Sequence, residues 1–137
     1  MGCYVSNEMC QMALSEMRLF YSQLLDLYGS FEIDIEMDTG RRNMLMSSLQ
    51  EKTFAKQIRS VYPNTFSNGK TGEPDIVIPE INGELECKLT SQHRSGSWVL
   101  QTDYNTLRNK GSLDYLYVLA SRDFQTFAVL FFEGLTC

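Results

Sequence analysis
The stretch GEPDIVIPEINGELECKLT, residues 72–90, places two carboxylates and an ammonium on neighbouring apolar runs. Asp75 follows Pro74, and Glu86-Cys87-Lys88 begins eleven positions after Asp75. Strand residues alternate between faces, so Leu85, Cys87 and Leu89 share one side while Glu84, Glu86 and Lys88 share the other. Glu86 and Lys88 can therefore act together, and a hairpin would bring Asp75 close to Glu86. Two adjoining carboxylates repel, and one pKa rises unless a divalent cation neutralises them. Mg2+ suits such a place, because it is a hard ion that binds one or two carboxylates and keeps waters and phosphate oxygens as further ligands. A lysine beside it can orient an attacking water and offset charge developing on a phosphate. The alternative is a solvated hairpin whose carboxylates and lysine pair at the surface, an interaction worth little.

Positioning these groups requires a sheet with helices against it. Residues 7–28 read as an amphipathic helix, with Met9, Ala13, Met17, Phe20, Leu24 and Leu27 at three- and four-residue intervals. Ser6 is its expected N-cap and Gly29 its expected C-terminal stop. FEIDIEMD, residues 31–38, alternates strictly and predicts a strand with an acidic outer face. A second helix is expected over 44–61, capped by Asn43 and ended by Pro63. Its stripe of Ala55, Ile58 and Tyr62 includes Glu51, which either lies at the margin or points at a site. Strands are expected at 75–79 and 83–90, joined by a turn at Asn82-Gly83. A loop at 91–97, a helix near 99–110, and strands at 113–121 and 124–134 complete the order. The reading is a mixed α/β fold with one sheet, forming a single domain over 1–137. Within it, residues 1–40 make an N-terminal helix plus acidic strand, and 41–137 the core.

Pro74-Asp75, a strand-bearing gap and Glu86-Cys87-Lys88 resemble the motif of the PD-(D/E)xK nuclease superfamily, which includes restriction endonucleases and the VRR-NUC repair nucleases. The likeness covers roughly residues 44–120. It implies a restriction-endonuclease-like core, a central mixed sheet flanked by helices, with metal-dependent hydrolysis of phosphodiester bonds in DNA. By the same resemblance Asp75, Glu86 and the Cys87 backbone carbonyl would bind Mg2+, with Mn2+ able to substitute, and Lys88 would act on the nucleophilic water. Glu51 stands where many members carry a further catalytic glutamate. Some members have a Gln-x-x-x-Tyr element on the following helix; Gln101 and Tyr104 are one residue short of that spacing.

Composition is consistent with such a protein. Hydrophobic residues are 43% and charged residues 21% of the 137, the balance of a water-soluble globular chain. No apolar run approaches the about 20 residues of a membrane-spanning helix. The net charge of −5 is local, because residues 1–40 hold seven acids against one base and the remainder ten acids against eleven bases. A DNA partner is therefore compatible with the charge. Cys3, Cys10, Cys87 and Cys137 fit neither a zinc pattern nor a disulfide framework, so free thiols and a cytoplasmic location are expected. Met1-Gly2 with Ser6 matches the N-myristoylation pattern loosely, without a following basic patch. SQHRSGS, after the second motif strand, offers Gln92, His93, Arg94 and Ser95 as phosphate- or base-contacting groups. Cutting both strands of a duplex takes two active sites, which favours a homodimer or larger homo-oligomer. A non-catalytic nucleic-acid-binding module, or a protein-interaction domain, is the competing reading.

Overall fold
The computed structural model describes residues 3–136; Met1, Gly2 and Cys137 lie outside the described residues, and with them the expectations placed on them. Among the described residues three α-helices flank a five-stranded mixed sheet, a mixed α/β fold as the pattern implied. The elements are α1 (Asn7–Ser30), α2 (Thr39–Arg59), β1 (Phe66–Ser67), β2 (Ile76–Ile78), β3 (Gly83–Ser91), α3 (Tyr104–Lys110), β4 (Ser112–Ala120) and β5 (Phe127–Thr136). The strands lie in chain order, β1-β2-β3-β4-β5, with only β3 and β4 parallel. A parallel pair needs a crossover connection, and the segment holding α3 supplies it.

The two faces of the sheet are filled differently. Toward α1 and α2 lie Leu85, Cys87, Leu116, Val118 and Ala120, packed with Met17, Tyr21, Met46, Phe54 and Ile58. Toward α3 lie Leu113, Tyr115 and Tyr117 with Leu107. Each fully buried aliphatic or aromatic side chain contributes about 1.5 to 3 kcal/mol on transfer from water, so the α1–α2 side carries most of the stability. Glu86 and Lys88 sit on the thinner α3 side, where a cavity can open.

Residues 31–38 do not form the expected strand; they make turns. Among the alternating apolar residues only Ile35 is buried, whereas Phe31 is 72% and Met37 80% exposed. The cause is local hydrogen bonding. Helix α1 runs past Gly29 and closes with Ile33 N–H donating to Tyr28 O and Glu32 N–H to Gly29 O. That is a Schellman closure with Glu32, at φ 61°, in the left-handed position that glycine usually takes. Asp34 then accepts from Glu36 N–H, and Asp38 from Arg41 N–H, so these carboxylates turn the backbone instead of decorating a strand. Asp38, not Asn43, is the N-cap of α2, which begins five residues earlier than expected. Glu32→Gly should raise stability by about 0.5 to 1 kcal/mol, because relief of the left-handed strain exceeds the added chain entropy. Urea unfolding measures it.

Two smaller differences bear on the site. Only Tyr104–Lys110 is helical in the 99–110 window, with Asp103 as N-cap. The preceding stretch is tied to β4 instead, through Trp98 Nε1 donating to Ala120 O and Tyr117 hydroxyl to Gln101 O. The β2–β3 link is a short 3₁₀ turn over Pro79–Ile81 ending at Asn82 in the left-handed region, and β1 was not anticipated within the turn-rich 64–75 segment.

Candidate functional site
Strand β2 begins only at Ile76, opposite Leu85, and that builds the site. Its ladder pairs Ile76 with Leu85, Val77 with Glu84 and Ile78 with Gly83, then stops. From Glu86 to Ser91, β3 is paired to β4 on one side only. Asp75, the residue just before β2, lies beside this open edge, and its Oδ2 accepts a hydrogen bond from Cys87 N–H at 2.8 Å. The N–H and C=O of one strand residue leave on the same edge, so the Cys87 carbonyl is directed to that edge as well.

Glu51 of α2, Asp75, Glu86 and Lys88 all line one cavity of about 450 Å³. The loop 68–73 and Asp103 with Thr106 at the start of α3 form its other walls. Glu86 is only 4% exposed. Burial, and then the hydrogen bond and negative charge of Asp75, push its pKa up to about 9. Glu51 is raised to about 7, first by burial and then by the charge of Asp75 and a hydrogen bond to it. Asp75 is thus within hydrogen-bonding reach of both glutamates. None of the three makes a salt bridge among the described residues. Three carboxyl groups thus meet in one cavity with no salt bridge among the described residues, and a cation placed there would favour their ionised forms.

The donor set consists of hard carboxylate oxygens, the chemistry of Mg2+ or Mn2+ and not of a soft metal. Among the described residues no group of three or more His, Cys, Asp and Glu side chains is gathered closely enough, as it stands, to hold a metal ion. The fit is to an ion held by two carboxylates, Asp75 and Glu86, with the remaining positions left to backbone, water and substrate.

Gln50 was not anticipated from the sequence. It is fully buried, and its Nε2 donates to Lys88 O at 3.1 Å and Leu116 O at 3.2 Å. One side chain thereby fixes α2, and with it Glu51, against the strand that carries Lys88. Its signal was present as an amide beside Glu51 on the otherwise apolar side of the helix. Gln50→Ala should cost about 2 kcal/mol through the loss of these two buried hydrogen bonds, read as a lower denaturant midpoint.

The other expected residues are dispersed. Gln101 lines a smaller cavity with Lys88, and its backbone carbonyl is held by Tyr117. Tyr104 is 60% exposed and lines none of the cavities described. Gln92, His93 and Arg94 line another groove, at the far end of β3. Ser95 is held by Ser97 within a tight turn, which His93 N–H donating to Ser97 O and Gln92 Nε2 donating to Gly96 O close.

Fold and site together define a mixed α/β protein with a carboxylate–lysine cluster on the open edge of a central strand. Comparison of the chain with protein families, curated proteins and solved structures returns no match.

Proposed function
We propose that this protein is a divalent-metal-dependent endonuclease that hydrolyses phosphodiester bonds in DNA, with a site of the PD-(D/E)xK kind. The observation that carries the reading is Asp75 within hydrogen-bonding reach of Glu51 and of Glu86, in one cavity with Lys88, with no salt bridge to the three acids among the described residues. Asp75 and Glu86 would hold Mg2+ or Mn2+, with the Cys87 carbonyl on the same edge as a further oxygen. The ion, when bound, supplies Lewis-acid stabilisation of the phosphate and a more acidic water.

The chain's own groups do the rest. Lys88 lies two residues from Glu86 on the same face of β3, half-buried, where an ammonium can orient the attacking water and offset charge growing on the phosphate oxygens. Glu51 lines the same cavity as Asp75 and accepts a proton readily near neutrality, which suits proton transfer to or from that water. Gln50 keeps both helix and strand in register. Double-strand cutting would call for a homodimer or larger homo-oligomer, in the cytoplasm.

Incubation with supercoiled plasmid and with branched DNA, in Mg2+ or in EDTA, tests the reading. Mg2+-dependent nicking or linearisation is expected. Intact DNA under every divalent-metal condition would overturn the assignment.

A further inference from the structure
A second anionic subsite lies at the opposite end of β3. A groove of about 920 Å³ opens between the start of α2, the residues after β3 and the residues after β4. It lies at the carboxyl ends of the one parallel strand pair, where α/β sheets collect ligands. Arg42, Arg94 and Arg122 line it.

Arg42 is the unusual member. It is 3% exposed, and its guanidinium lies over the Phe124 ring at 4.0 Å from the centroid. Nη1 donates to Arg122 O at 3.1 Å, while Nε is buried with no partner. Among the described residues Arg42 forms no salt bridge. Burying a cation is expensive, and the aromatic face and the nearby charge of Asp123 offset only part of that cost. Two carboxylates, Glu36 and Asp123, share the groove, so the arginines outnumber them by one. Asp123 is already engaged by the Ser121 hydroxyl at 2.6 Å and Gln125 N–H at 3.0 Å.

The groove is continuous with the carboxylate site. A smaller cavity of about 270 Å³ shares Lys88 and Leu89 with the carboxylate cavity and Ser91 and His93 with the arginine groove. Their linings together run along β3 and beyond it, from Glu86 to Arg94. From Glu86 to Ser91 the strand runs about 17 Å at roughly 3.3 Å per residue, too far for one small anion to bridge.

We propose that the arginine groove is a second phosphate-binding subsite, holding the backbone of the same nucleic-acid strand several nucleotides from the bond placed at Lys88. The proposal rests on the nuclease reading and adds the path of the strand. Arg94 and Arg122, both exposed, reach phosphate directly, and Arg42 supplies a fixed charge beneath them.

Binding of fluorescein-labelled duplex and single-stranded oligonucleotides in EDTA, followed by anisotropy across a salt series, provides the test. Each lost phosphate contact reduces the slope of log K against log salt by about 0.9 on duplex DNA and about 0.7 on a single strand. Arg122→Ala should lower the duplex slope by that amount and Arg94→Ala/Arg122→Ala by about twice it. The double variant should bind about 10-fold or more weakly, with Mn2+ uptake unchanged. Arg42 stays in place in these variants because it also covers Phe124. If wild-type protein binds DNA and the double variant keeps the same slope, the subsite is overturned and the nuclease reading stands. If wild-type protein binds neither oligonucleotide, both are overturned. Calorimetric binding of inorganic pyrophosphate, lost in the double variant while the DNA slope is unmoved, would reassign the groove to a free anion.

Discussion

Lys88→Ala is expected to leave the protein folded and able to take up Mn2+, while DNA cleavage slows by about 10²- to 10⁴-fold. The magnitude is that of one positioned proton-transfer or charge-stabilising group, about 3 to 5 kcal/mol in the barrier. Lys88 is half-buried and makes no salt bridge among the described residues, so truncating it leaves no buried carboxylate newly unpaired. Its backbone carbonyl, held by Gln50, is unaffected by the change of side chain. Single-turnover cleavage of a labelled substrate, alongside thermal unfolding, separates lost chemistry from lost fold. A variant that cuts at the wild-type rate would remove Lys88 from the mechanism.

Glu86→Gln should have opposite effects on stability and on ion binding. With its pKa raised to about 9 in the folded state against about 4.3 in an unfolded chain, Glu86 binds its proton more tightly when folded. Its stabilising contribution is complete below the unfolded value and is lost as pH rises through the folded one. Between about pH 5 and pH 9 the metal-free wild type therefore loses stability, and the amide, which cannot ionise, escapes that part of the loss. At pH 8 the variant should be more stable by on the order of 2 kcal/mol, about 5 °C in melting temperature for a domain of this size. The difference should shrink toward pH 5. Added Mn2+ should reverse the order, since only wild-type protein gains stability by binding it. Calorimetric melts at pH 5 and pH 8, with and without Mn2+, read all of this.

How far the sequence disclosed this arrangement depends on the range of the forces involved. The β2–β3 hairpin was legible because alternation and a turn are local properties, and the face shared by Glu86 and Lys88 follows from alternation alone. Glu51 was legible as an acid on an apolar helical stripe. Residues 31–38 misled because alternation alone does not supply a strand partner, while Asp34 and Asp38 offered the backbone nearer hydrogen bonds. The 99–110 window was read as too long a helix because the bonds that hold Trp98 and Gln101 extended come from β4, sixteen or more residues away. Arg42 gave no signal, since its burial depends on Phe124, far along the chain. The late start of β2 at Ile76, which leaves the edge of β3 open beyond Leu85, is equally a consequence of tertiary pairing.

The central claim is that Asp75 and Glu86 hold a hard divalent cation in place of the proton that burial favours on Glu86. Calorimetric titration of Mn2+ at pH 8, in two buffers of different ionisation enthalpy, tests it most directly. The account predicts about one ion per chain, proton release on binding, weaker affinity at pH 6, and no binding by Glu86→Gln. Absence of uptake by wild-type protein, or equal uptake by the Glu86→Gln variant, would contradict it.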